Sequence, residues 1–315
     1  MPAIYFHYIT YDLVYDRHNP YRRAAMLGAQ GADPFFYFGR GLCRRKNGIE
    51  NRKMGDNLHH INIPESIEAM IEYANRKENE VERNILLNYI KGYLFHYCID
   101  KNCHPYIFYR SGFATNQDEN QKHYLILHCR FESELDLAIL NRYHHQRFHP
   151  IECLLVKRRT LKLISEMYYF VAQKVFYPCS FFSRKTFYKS VKDMRTVYYI
   201  TYSRLGFKKR FFERRFPNRH INAISLPMKE DKSLDLMNLS HSLWRDPVTG
   251  YTSDLSIIDM VENAKRDYEH CKNYTEILDK SVLHNYLLKF THDTDFDGSK
   301  IGSKKFYYSL YRKDF

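Results

Sequence analysis

Long apolar runs are missing. No stretch of about 18 apolar residues occurs, so no transmembrane helix is expected. Glycine (12) and proline (10) are sparse for 315 residues, which argues against a turn-dense β-sandwich or propeller. Tryptophan appears once. The seven cysteines (Cys43, Cys98, Cys103, Cys129, Cys153, Cys179, Cys271) contain no Cys-x-x-Cys pair. Neither a zinc ribbon nor a disulfide framework is indicated, and most should be reduced core residues. The start, Met-Pro-Ala-Ile-Tyr-Phe-His, lacks the basic region and cleavage site of a signal peptide. A cytoplasmic protein, peripheral to a membrane at most, is the expectation.

What is present is apolar content for a core (44%), many aromatic residues, 16 histidines and a net charge of +13. These features separate along the chain. Eleven histidines fall at or before residue 149, whereas residues 157–219 hold 17 Lys/Arg against only Glu166, Asp193 and Glu213. The rest of the chain is nearly neutral.

The periodicity predicts an almost entirely helical protein. Asn79 to Asp100 places Ile85, Leu86, Tyr89, Ile90, Tyr93, Leu94 and Tyr97 three or four apart, with Asn79 as N-cap. Pro105 should end this helix. Further helices are expected at 65–76, 121–142, 155–176 and 185–204. Two more should follow Ser253 and Thr275 as caps. Residues 28–57, 101–120 and 217–252 read as loops, and 195–203 could alternatively form strand.

His96 and Asp100 lie four apart on one helix face, as do His128 and Glu132. A His and a carboxylate so spaced can bind one zinc ion. About two such pairs would arise by chance from this composition, and two are present. Context therefore decides. Both pairs sit on apolar stripes, where an unpaired carboxylate is costly. His104 follows Asp100 by four residues and should be set off the helix by Pro105. His59 and His60, Asp33 in a Gly-rich turn, and His7 on an N-terminal apolar helix complete the set. Taken singly, each histidine is more often a core residue bonded to a carbonyl, and Asp33 is as readily a turn residue.

The order of these residues, and the blocks "HYITYDLV" (7–14), "LGAQGADPFFY" (27–37), "GYLFHYCIDKNCHPY" (92–106) and "HCRFESELD" (128–136), resemble the zinc-dependent phospholipase C family, especially an intracellular bacterial branch. That family shares its fold with single-strand-specific zinc nucleases. The resemblance covers roughly residues 1–140; "LWRDPVTG" (243–250) is a looser echo. It implies an all-α, multi-helix bundle with the metal site between helices, and two or three zinc ions. By resemblance, His96, Asp100 and His59 or His60 would hold one ion, with Asp33 as a ligand or general base. His104, His128 and Glu132 would hold a second. His7 and a bridging Asp100 would hold a third, although this sequence lacks the Trp that completes it in the family. The implied domain plan is a zinc-site core (1–150), a basic aromatic helical region (151–220) and C-terminal helices (221–315) on the same domain. The implied activity is phosphodiester hydrolysis through a metal-activated water, phospholipase C-like. The alternatives are a single-strand nuclease and a non-catalytic metal-stabilised module.

Three other motifs carry less. Asp293-Thr294-Asp295-Phe296-Asp297-Gly298 imitates half an EF-hand loop, but position 12 is Lys304, so a solvated turn is expected. His144, His145 and His149 read as a polar surface cluster, and Ser240-His241 lacks a triad context. The densest basic stretch, Lys208, Lys209, Arg210, Arg214 and Arg215 among phenylalanines, suits an anionic partner: membrane surface or single-stranded nucleic acid. A solvated charged face over an aromatic core explains it as well.

Overall fold

The computed structural model describes residues 3–42, 44–112, 121–143, 147–176, 181–216, 219–300 and 307–311. Among them are twelve α-helices and one two-stranded hairpin, β1 (Trp244–Arg245) and β2 (Thr252–Ser253), making an all-α fold. None of the helices is long and apolar enough to cross a membrane.

Helix α5 (Glu80–Ser111) is the axis, with Asn79 Oδ1 accepting the Glu82 amide at its start. Every residue from Gly92 to Asp100 is buried, so the helix is enclosed on all sides. Helices α2 (Arg22–Gly28), α4 (Ile63–Asn75), α6 (Gln121–Tyr143) and α11 (Ile257–Cys271) surround it, and α1 (Ile4–Asp12) lies along α6. The α2–α5 crossing is set by two glycines. A Cβ on Gly28 would stand 2.0 Å from the Tyr89 carbonyl oxygen, and one on Gly92 would stand 2.1 Å from that of Ala25.

Pro105 does not end α5, contrary to expectation: the helix runs six residues further, to Ser111. An internal proline costs a helix about 3 kcal/mol in isolation. Here the flanking residues Cys103, His104, Tyr106 and Ile107 are all buried, and tertiary packing overrides the local preference. Gly298 packs on the interrupted spot; a Cβ there would lie 2.3 Å from the Lys101 carbonyl oxygen and 2.7 Å from the proline ring. His104 is therefore not set off the helix.

Other boundaries also move. The expected loop at 28–57 contains a 3-10 turn (Asp33–Tyr37) and most of helix α3 (Gly48–His60). The caps of α11 and α12 (Lys280–Thr291) are Ser256 and Asp279, not Ser253 and Thr275. Residues 195–203 belong mainly to helix α8 (Thr186–Thr201), not to a strand. Helix α7 (Arg158–Val175) packs on α4, and α8 packs on the Asp33–Tyr37 turn. Their aromatic side chains face inward: Phe35, Tyr168 and Phe187 form a ring cluster with centroids 4.5–5.1 Å apart. The hydroxyls of Tyr89 and Tyr168 lie 2.8 Å from each other and each 3.2 Å from the Gly31 carbonyl oxygen, and this shared hydrogen-bond cluster holds the turn that presents Asp33. All five described cysteines are buried, and none of them forms a disulfide among the described residues.

Gly92→Ala should cost about 1–3 kcal/mol by forcing α2 from α5. Denaturant unfolding reads this directly, and an unchanged midpoint would contradict the crossing.

Candidate metal centre

His96, Asp100 and His104 recur every four residues on the unbroken α5, so their side chains form one row along its face. Four other elements bring partners to it. Helix α1 supplies His7, the turn after α2 supplies Asp33, the end of α3 supplies His59, and α6 supplies His128 and Glu132. All eight residues are buried.

Their ligand atoms fall into three groups, each within 4.8 Å: His7–His96–Asp100, Asp33–His59–His96 and His104–His128–Glu132. His59 Nε2 lies 3.3 Å from Asp33 Oδ1 and 3.3 Å from His96 Nε2. His96 Nε2 is 3.3 Å from Asp100 Oδ2, and His7 Nε2 is 3.4 Å from Asp100 Oδ1. His128 Nε2 and His104 Nε2 lie 3.3 and 3.7 Å from Glu132 Oε1. Two tetrahedral zinc ligands, each about 2.0–2.1 Å from the ion, stand about 3.3 Å apart. The spacing thus fits ligands gathered about small divalent ions. Asp100 presents one oxygen to His7 and the other to His96, so it can join adjacent groups. Neutral His96 has one lone pair, so it can serve only one of its two groups at a time.

The histidines are aimed from behind. His59 Nδ1 faces the Gly55 carbonyl at 2.7 Å, and His104 Nδ1 faces that of Phe296 at 2.8 Å. Donation to these carbonyls fixes the tautomer that leaves Nε2 as the ligand atom. His128 Nδ1 lies 3.4 Å from Ser111 Oγ. Gly31 takes φ +49° directly against the His96 ring, where a Cβ would come within 2.0 Å. That is why the Asp33 turn can approach α5 so closely.

The titration behaviour suits a metal site. Burial holds His7 and His96 well below the usual imidazole range, so both are neutral. Burial opposes charge on His104 too, but Asp100 and Glu132 outweigh it and raise its pKa to about 9. Burial raises the Asp100 carboxyl to about 7. Burial also disfavours charge on Asp33, but its electrostatic surroundings and a hydrogen bond with His59 outweigh that and hold it down at about 2. Glu132 is likewise buried yet held well below its usual range by His128 and His104.

The expected residues are not all gathered. His60 turns away from the row: Nδ1 lies 3.0 Å from Asp295 Oδ2, and Nε2 lies 3.9 Å from Asp56. His149 caps a 3-10 turn (Pro150–Leu154), while His144 and His145 lie outside the described residues. Ser240 Oγ bonds Asp235, and His241 Nδ1 faces the Asp254 carbonyl, so no triad forms there. Lys209 of helix α9 (Phe207–Arg215) is buried, donating to Asn222 and pairing with Glu213 rather than facing solvent.

The turn at 293–298 is a correction of another kind, since it is not simply solvated. Asp295 and Phe296 are buried; the Phe296 amide donates to the His59 carbonyl, and its ring contacts those of His59 and His96 at centroid distances of 4.7 and 5.5 Å. With the Phe296 carbonyl on His104, this turn steadies both ends of the row. Asp295, Asp297 and His60 also bring ligand-type atoms within 4.8 Å of one another. Asp136 is a second residue that the spacing arguments missed: its Oδ1 accepts the Phe6 amide at 2.8 Å and anchors the start of α1, and so His7.

A match to known proteins follows this geometry. The family model described as zinc dependent phospholipase C matches residues 8–175, and the chain belongs to that family of hydrolases. Seven of the eight gathered residues lie within the match; His7 stands one residue before it. Comparison with the curated proteins and with the solved structures returns no match.

Two outcomes follow. A zinc ion held by this row would have to displace the protons carried by His104 below about pH 9 and by Asp100 below about pH 7. Affinity should therefore fall on acidification, more steeply below neutrality, in competition titrations against a chromogenic chelator; a flat profile would refute it. Asp295→Ala, which frees the turn behind His59 and His104, should weaken zinc binding about 10–100-fold in the same titration, as loss of outer-shell support does elsewhere.

Proposed function

We propose that this chain is a zinc-dependent phosphodiester hydrolase of phospholipase C type, acting on a phospholipid. The observation that carries the reading is the row of buried imidazoles and carboxylates spaced as tetrahedral ligands, in a member of a zinc-dependent phospholipase C family. We assign His59, His96 and Asp100 to one ion, with Asp33 beside it as the general base, and His104, His128 and Glu132 to a second. His7 with Asp100 offers a third position, and His60 stands outside.

Bound zinc supplies Lewis acidity, lowering the pKa of a coordinated water toward neutrality and offsetting charge on phosphate oxygens. The protein's own part is positioning and proton handling. We assign proton acceptance from the attacking water to Asp33, which is ionised at neutral pH and lies 3.3 Å from His59 beside the row. Gly31 keeps it against His96, and the tyrosine hydroxyls on the Gly31 carbonyl keep the turn in place.

A single-strand nuclease is the rival, because one metal centre can serve either phosphodiester and substrate choice lies elsewhere. Turnover of a choline phosphodiester, but not of single-stranded DNA, by the zinc-loaded protein is the expected result. The reverse preference would transfer the assignment to the nuclease. A folded protein that takes up no zinc would overturn both.

His128→Ala and Asp100→Asn should each reduce zinc per chain by about one ion or more, read by elemental analysis of the purified protein. Full stoichiometry in both would break the ligand assignment. Asp33→Asn should lower kcat about 100-fold or more if Asp33 is the base.

A further inference from the structure

Helix α9 is fastened to the protein along one seam. Phe212 is buried, and Lys209 Nζ donates to the Asn222 carbonyl (2.8 Å) and to Asn222 Oδ1 (3.0 Å). Elsewhere the helix is open. Phe207 and Phe211, one turn apart, are 64% and 59% exposed, and Leu205 just before them is 65% exposed. The Phe216 ring lies beside that of Phe211, with centroids 6.4 Å apart. Arg210, Arg214 and Arg215 are exposed among these rings, and none forms an ion pair among the described residues. The only acid on the helix, Glu213, is paired with the inward Lys209.

Phenylalanine has no polar handle, and a cluster of exposed phenyl and leucyl groups is unfavourable in water unless something covers it. Cations spaced between such groups are the pattern of a helix lying in the interface of an anionic bilayer. Single-strand binding sets its stacking platforms within a basic groove, whereas α9 is held along one side only. We propose that α9 is the bilayer-docking element of this protein: Phe207, Phe211 and Leu205 enter the interfacial zone, and Arg210, Arg214 and Arg215 meet lipid phosphates. The choice of a bilayer rests on the phospholipid reading above.

The attachment leads back to the metal centre. Asn222 lies in helix α10 (His220–Ala223), and the Ala223 carbonyl accepts Ser133 Oγ at 2.7 Å. Ser133 adjoins Glu132 on α6. A docked α9 is thus tied through two buried contacts to the helix that bears His128 and Glu132.

The test is co-sedimentation of the full chain with phosphatidylcholine vesicles and with vesicles containing phosphatidylserine. Wild type should partition onto the anionic vesicles and be released by salt. Phe207→Ser/Phe211→Ser and Arg210→Ala/Arg214→Ala/Arg215→Ala should each lower the partition about tenfold or more, and the arginine variant should lose most of the salt dependence. Should either variant fail to melt like wild type, Phe211→Ser and Arg214→Ala replace it, with smaller losses expected. Wild type that ignores anionic vesicles, or variants that bind them undiminished, overturns the proposal. So does tighter binding of wild type to single-stranded DNA that the same variants lose. Turnover of a water-soluble choline phosphodiester separates the two readings. Docking variants should retain the wild-type rate, whereas absent turnover with intact vesicle binding would indict the hydrolase assignment alone.

Discussion

Helix α5 must remain one unbroken rod, and the candidate site depends on that. His104 stays on the face of His96 and Asp100 because it keeps helical geometry directly before Pro105, where a residue is usually pushed toward extended backbone. Had His104 left the helix, the group with Glu132 would lack its shared axis with the groups at Asp33 and His7. Close approach of α2 at Gly28 and Gly92 sets the height from which the next turn delivers Asp33, and Gly31 lets that turn meet the His96 ring. The 293–298 turn closes over the proline and bonds the adjacent His104. A local weakness in the helix and the support of a ligand-type side chain thus fall at the same place.

Burial makes this arrangement consequential. Three carboxylates and five imidazoles withdrawn from water must neutralise one another, bind protons or bind a cation. The directions of their pKa shifts show the strain being shared. His7 and His96 remain neutral, Asp33 and Glu132 remain ionised, and protons reside at His104 and Asp100. Divalent ions would replace those protons and satisfy carboxylates and imidazole lone pairs together.

Much of this is legible in the sequence, and the failures have physical causes. The all-α architecture follows from apolar spacing at 79–100 and 121–142. The His96–Asp100 and His128–Glu132 pairs are visible as i, i+4 neighbours, although their number alone carries no weight against chance. Pro105 misleads because the rule for the residue before proline is local, while the residues around it are held by tertiary contacts. His59 and His60 cannot be told apart without the direction of α3. The Phe296 contribution is invisible because it is a backbone carbonyl acting across 192 positions, and a carbonyl has no residue-type signature. Lys209 reads like its neighbours, yet its ammonium caps buried carbonyl and amide oxygens of Asn222.

The separation of the permanent cations from the histidines then has a reason. The ion pairs seen within the row join carboxylate to imidazole. An imidazole can give up its proton and turn a lone pair toward a metal; a guanidinium cannot, and an ammonium does so only at great cost. Lys or Arg placed against Asp33, Asp100 or Glu132 would satisfy those carboxylates permanently and compete with zinc. The excess charge of residues 157–219 can therefore serve attraction to an anionic surface only if it stays outside the row. That segment instead meets the site through uncharged atoms: the Tyr168 hydroxyl on the Gly31 carbonyl, and the Phe187 ring against Phe35.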